Sequence, residues 1–255
     1  MANNGYRGRK MKIIVAKNYD ELSEAAYGVI KEVVLSNPQA VLGLATGSSP
    51  LGIYKRMAEE CTEGKVSYKE VKTVNLDEYV GLPPTHPQSY RWFMKTNLFD
   101  KIDVLPENTH VPNGCAADLA AECKRYDELL EKLPRNVQLL GIGNNGHIAF
   151  NEPGSPFDGG TRIVELDKST IAANARFFES EDEVPKKAIS MGIKGIMASE
   201  KIVLVASGSN KAEAVRAMCK GPVTEACPAS ILQNHPDVTV VLDEEAASKL
   251  YFKLW

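Results

Sequence analysis

Little in this sequence points toward a membrane, a nucleic acid or an oxidising compartment. No stretch approaches the ~18 consecutive apolar residues of a spanning helix. The opening MANNGYRGRK is charged but lacks the apolar region that follows in a secretion signal. Charge of one sign is missing too: 30 Lys and Arg stand against 33 Asp and Glu, a net charge of −3, with no long block of like charge beyond the first ten residues. The electrostatic footprint of a nucleic-acid or anionic-membrane partner is therefore absent. Cysteine is sparse. Cys61, Cys115, Cys123, Cys219 and Cys227 are odd in number and never form a C-x-x-C pair, so they read as reduced, mostly packed thiols of a cytoplasmic protein. No His, Cys and carboxylate set has metal-ligand spacing. The glycine loop ATGSSP at 45–50 lacks the G-K-[ST] ending of a Walker loop and the G-x-G-x-x-G spacing of a dinucleotide fold, which disfavours a nucleotide ligand there.

What the sequence does contain is a repeated α/β pattern. With 255 residues, 44% of them apolar, the chain can bury one large core, and residues 11–255 are expected to form a single domain after an N-terminal extension at 1–10. Short runs rich in Val, Ile and Leu alternate with segments of helical period, the mark of parallel strands covered on both faces. Strands are expected at 11–16, 40–45, 71–76, 137–142, 201–206 and 238–242. Helices are expected from Asn18 or Asp20 to about Ser36, from about Leu51, over 116–133, and from Asn210. The expected fold is α/β: a single doubly wound, mostly parallel, Rossmann-like sheet with helices on both faces. Ligands of such sheets sit at the carboxyl ends of the strands, where four loops dense in Gly, Pro, Asn and Ser fall.

All four of these loops carry groups that could do chemistry. In ATGSSP, a strand passes through Thr46, Gly47, Ser48 and Ser49 into a helix, so backbone N–H groups and hydroxyls make a cradle for a monophosphate; a plain βα turn with a hydroxyl cap would look the same. SGSNKAEA repeats the design and puts Lys211 at a helix start, a place unfavourable to a cation unless an anion is bound. Arg176, in NARFF, offers a planar fork for phosphate. In NLDEYVG, a strand delivers Asp77 and Glu78 at its end. Alternation allows at most one of them to face a substrate, and an Asp there suits a general base. GIGNNGHIAFNEPGSP sets His147 in a glycine loop with Glu152 five residues on, and a carboxylate beside an imidazole fixes its tautomer and makes a proton shuttle. A buried structural histidine is the plainer alternative. His86, His110 and His235 receive no role.

Taken together, VLGLATGSSP, VNLDEYVGLPPTHPQSYRWFM, LLGIGNNGHIAFNEPGSP, TRIVEL, ARFF and GSNKAEAV resemble the glucosamine-6-phosphate deaminase family, in order and over nearly the whole chain. The resemblance implies conversion of D-glucosamine 6-phosphate and water to D-fructose 6-phosphate and ammonia, in amino-sugar catabolism, with no metal or organic cofactor. It implies that Asp77 moves a proton between C2 and C1 of the open-chain sugar. It also implies that His147, with Glu152 and Asn145, opens the ring, and that Thr46, Gly47, Ser48, Ser49, Arg176 and Lys211 hold the phosphate. Some members carry Asp where this chain has Asn145, which can orient a neighbour but adds no charge. Larger allosteric members have a Lys where Val164 stands and a longer C-terminal segment, so a non-allosteric enzyme, monomer favoured over homo-oligomer, is expected. A 6-phosphogluconolactonase-like hydrolase and a non-catalytic sugar-phosphate sensor are the alternatives, the latter without room here for a DNA-binding domain.

Overall fold

Burial on both faces explains why the apolar runs become strands, and the helices between them supply that cover. The computed structural model describes residues 11–166, 171, 178 and 183–250. The chain starts with β1 (Lys12–Ala16). In α1 (Tyr19–Ser36), Asn18 is the cap, its side chain accepting the Glu21 N–H at 2.9 Å, and Leu22, Ala26, Ile30 and Val34 form the buried stripe. Next come β2 (Val41–Leu44), α2 (Leu51–Thr62) and β3 (Lys72–Asn75).

The expected third strand runs only to Asn75. Residues Asp77–Tyr79 form a separate strand, β4, which leaves the main sheet. α3 (Tyr90–Asn97) and the two-residue β5 (Thr109–His110) follow. α4 (Leu119–Lys132) starts three residues later than expected because Asp118 caps it, accepting the Ala121 N–H at 2.9 Å. The remainder comprises β6 (Val137–Leu140), β7 (Arg162–Glu165), β8 (Lys187–Ser190), α5 (Ile193–Met197), β9 (Ile202–Ala206), α6 (Ala212–Lys220), β10 (Val238–Asp243) and α7 (Glu244–Ala247).

Seven strands form one parallel sheet in the order β1-β10-β9-β6-β2-β3-β5. From β2 the chain winds outward through β3 to β5; it then returns to the other side of β2 as β6 and winds outward through β9 to β10. The direction therefore reverses between β2 and β6, the switch point at which such sheets open a crevice. Close packing at that point requires a glycine: a Cβ on Gly43 would lie 2.1 Å from Oε1 of Gln138 on the neighbouring strand. A second, antiparallel sheet of order β4-β8-β7 packs beside the first and pairs Asp77 with Ser190. This small sheet is an addition to the doubly wound architecture that the sequence indicates.

Candidate active site

A cavity of about 560 Å³ opens across the switch point, at the carboxyl ends of β2, β3 and β6, a size suited to a small ligand. One wall is the 46–49 loop. Gly47 takes a positive φ of 88° there, which lets the chain turn sharply from β2 toward α2. The loop is braced from α1: the Tyr19 hydroxyl is 2.9 Å from the Ser48 carbonyl and 3.0 Å from that of Ser49, and it accepts the Gly52 N–H at 2.9 Å. Thr46, Gly47, Ser48 and Ser49 all line the cavity. Lys211 also lines the cavity, half-buried, its pKa lowered by loss of water around the ammonium. Among the described residues no carboxylate pairs with it, so a bound anion would offset that desolvation. The turn before it is fixed by Asp243 at the end of β10, which accepts from the Ser207 hydroxyl at 2.5 Å and the Gly208 N–H at 3.1 Å. Arg176 lies outside the described residues.

The remaining lining carries the titratable side chains Asp77, His147 and Glu152. Asp77 is 6% exposed and faces the cavity. Its carboxyl is pushed up to about 8, first by burial and then by the neighbouring Glu78 carboxylate. Glu78 points to the other face of the strand, as alternation requires, and accepts the backbone N–H groups of Tyr79, Tyr90 and Arg91. His147 lies in the loop after β6, with Nδ1 3.3 Å from Glu152 Oε1, an ion-pair distance without hydrogen-bond alignment. Asn145 joins the two residues: its Nδ2 donates to Glu152 Oε2 at 2.6 Å, and its Oδ1 accepts the His147 backbone N–H at 3.2 Å. Asn145 thus orients the carboxylate and the loop, while the imidazole itself rests on bare backbone. A Cβ on Gly143 would come within 2.3 Å of the His147 ring, so that glycine is needed for close approach rather than for its φ. Ala149 is held at a φ of 51° in the same wall, a strained conformation of the kind that clusters at functional sites.

Every expected site residue within the described part of the chain therefore lines one cavity, from four separate stretches of sequence. Two further groups were not expected. Tyr90, on α3, lines the cavity with its ring parallel to that of Phe150, centroids 6.1 Å apart. Tyr19 braces the 46–49 loop from 29 residues away. Each opens a helix as an ordinary tyrosine, and only the packing of that helix start against the cavity or its loop brings it to the site. His235 is structural, its ring nitrogens 3.1 Å from the Asp237 carbonyl and 2.8 Å from that of Ser199. Among the described residues no group of three or more His, Cys, Asp or Glu is arranged to hold a metal ion.

Comparisons with known proteins give the family of the chain. The profile of the family described as glucosamine-6-phosphate isomerases/6-phosphogluconolactonase matches residues 16–241. A glucosamine-6-phosphate deaminase of Thermoanaerobacter pseudethanolicus is 51% identical over 239 residues, covering 93% of this chain and 94% of the relative. The solved structure of a monomeric glucosamine-6-phosphate deaminase superposes with a TM-score of 0.91 at 47% identity, covering 94% of this chain and all of the other. The 6-phosphogluconolactonase of Trypanosoma brucei reaches a TM-score of 0.78 at 20% identity over 95% of this chain and 99% of its own, a likeness of fold alone.

Proposed function

The chain belongs to the glucosamine-6-phosphate isomerase/6-phosphogluconolactonase family, and on that premise we propose that it converts D-glucosamine 6-phosphate and water to D-fructose 6-phosphate and ammonia. The observation that carries this reading is the meeting of Asp77, the His147 and Glu152 pair and the 46–49 loop around one cavity. Phosphate held at Thr46–Ser49, with Lys211 and Arg176, anchors one end of the sugar. The anchor leaves C1 and C2 over the opposite wall. His147, kept in place by Gly143 beneath it and charged from the side by Glu152, moves the proton that opens the pyranose ring. Asp77 then carries a proton between C2 and C1, which shifts the double bond. Water adds at C2 and ammonia leaves.

A carboxylate of ordinary acidity would be a weak base for a C–H bond. The raised affinity of Asp77 brings its proton exchange near neutral pH, where a general base is most effective. Five unpaired cysteines suit a reducing cytoplasm, the monomeric relative supports a monomer, and Val164 in place of the lysine of allosteric members supports an enzyme without a sugar-phosphate activator.

The decisive experiment offers the purified protein glucosamine 6-phosphate and, separately, 6-phosphogluconolactone. Ammonia and fructose 6-phosphate from the first, with no hydrolysis of the second, support the proposal. Lactone hydrolysis alone would make it a lactonase, whose ester chemistry needs no C–H base. Binding of the amino sugar without turnover would make it a sensor.

A further inference from the structure

Glu78 has no place in the reaction cavity, yet it is 3% exposed and bonded on both oxygens. Its Oε1 accepts the N–H groups of Tyr79 and Tyr90, each at 2.8 Å, and its Oε2 accepts that of Arg91 at 2.8 Å. Tyr90 and Arg91 are the first two residues of α3, and the third, Trp92, donates to the Ser89 hydroxyl at 3.1 Å. Ser89 and Glu78 together satisfy three of the four N–H groups that a helix start leaves unpaired. A carboxylate is favoured there over a neutral cap by the positive end of the helix. The bond to Tyr90 has a second effect. That residue lines the reaction cavity, packs on Tyr79 with ring centroids 4.6 Å apart, and sets its hydroxyl 3.2 Å from that of Tyr79.

We propose that Glu78 is the positioning residue of this site: from behind the strand it fixes α3 and Tyr90 to Asp77 as one unit and, once ionised, places a negative charge next to the base. The inference rests on Asp77 as the proton carrier. Burial pushes the Glu78 carboxyl up to about 7, and three N–H donors and the Arg91 guanidinium act against that rise in favour of the anion. With that charge adjacent, Asp77 ionises at higher pH than it otherwise would. The remaining titratable groups facing Asp77 are Tyr90 on α3, Tyr126 on α4, His147 and Glu152 on the loop after β6, and Lys211 before α6. Tyr90 is held by Glu78 Oε1 and the other four are not bonded to Glu78, so a substitution that keeps the Tyr90 bond reports the Glu78 charge.

Two variants separate charge from anchoring. Glu78→Gln keeps the shape and two of the three N–H bonds but removes the charge. The acid limb of kcat/KM for ammonia release should move to lower pH by about one unit, and the ¹³C NMR titration of the Asp77 carboxyl should move with it. Glu78→Asp keeps the charge but shortens the reach; kcat should fall about tenfold with the limb unmoved. An unmoved Asp77 midpoint in folded Glu78→Gln overturns the proposal. A further arm needs no variant: in the wild type, the Glu78 carboxyl should ionise at lower pH than Asp77, and a Glu78 that stays protonated through the Asp77 transition would equally overturn it. Because the NMR titration is independent of turnover, absence of deaminase activity would defeat the functional reading and leave this test standing.

Discussion

A general base inside a protein has to give up water without becoming inert, and Asp77, in the role proposed for it, would meet that condition through burial next to a second carboxylate. The cost appears in stability. An unfolded Asp ionises near 3.9, whereas the folded carboxyl holds its proton to about 8. Its contribution is therefore fully present below the unfolded value and is lost as pH rises through the folded one. Asp77→Asn does not titrate, so its Tm should exceed that of the wild type by a margin that widens from pH 5 to pH 8, about 2–4 °C for each kcal/mol. Calorimetry at the two pH values checks this. The same variant should lose about 10²–10⁴-fold in kcat with KM nearly unchanged, and unchanged turnover would remove Asp77 from its role. His147→Gln should lose less with an acyclic substrate analogue than with the pyranose, because ring opening is then bypassed; steady-state rates on the two substrates decide it. Gly143→Ala puts a methyl where the His147 ring lies, and its rate should fall to that of the His147 variant while its circular dichroism stays native.

At the scale of elements, loops are only as rigid as the elements behind them. The 46–49 loop is held from α1 by one hydroxyl that makes three contacts. Tyr19→Phe should raise KM several-fold, with kcat close to wild type, since each lost bond is worth about 0.5–1.5 kcal/mol; steady-state kinetics with glucosamine 6-phosphate measures both. The strand carrying Asp77 is similarly confined, because a Cβ on Gly114 would lie 1.9 Å from the Tyr79 carbonyl and Gly81 donates back to the Gly114 carbonyl at 2.9 Å. These elements were unequally legible in the sequence. The long amphipathic α1 and the five-residue β9 announce themselves through period and cap. The three-residue β4 does not: a segment of that length, two of whose residues are acids, has no period to read, and its pairing with β8 spans more than 100 residues.

For the molecule as a whole, the reversal of winding between β2 and β6 gathers the 46–49 loop and the His147 loop at one rim, and β4 brings Asp77 to face them. A chain that completes its cavity from its own loops needs no second copy for chemistry. Light scattering should therefore report a single-chain mass, and the substrate dependence should be hyperbolic, unaffected by N-acetylglucosamine 6-phosphate. Sigmoidal kinetics relieved by that compound would contradict the proposed monomeric behaviour.

By itself the sequence determined the class of fold, the loops that fall at the carboxyl ends of the strands and the rule that at most one of Asp77 and Glu78 faces the cavity, because hydrophobic period, glycine spacing and strand alternation are local properties of the chain. Only the tertiary structure decided that Asn145 grips Glu152 rather than the imidazole, that Tyr19 and Tyr90 belong to the site, and that a second small sheet positions the base. Those outcomes depend on contacts between segments far apart in the chain, and such contacts exist only once the strands have taken their places in the sheet.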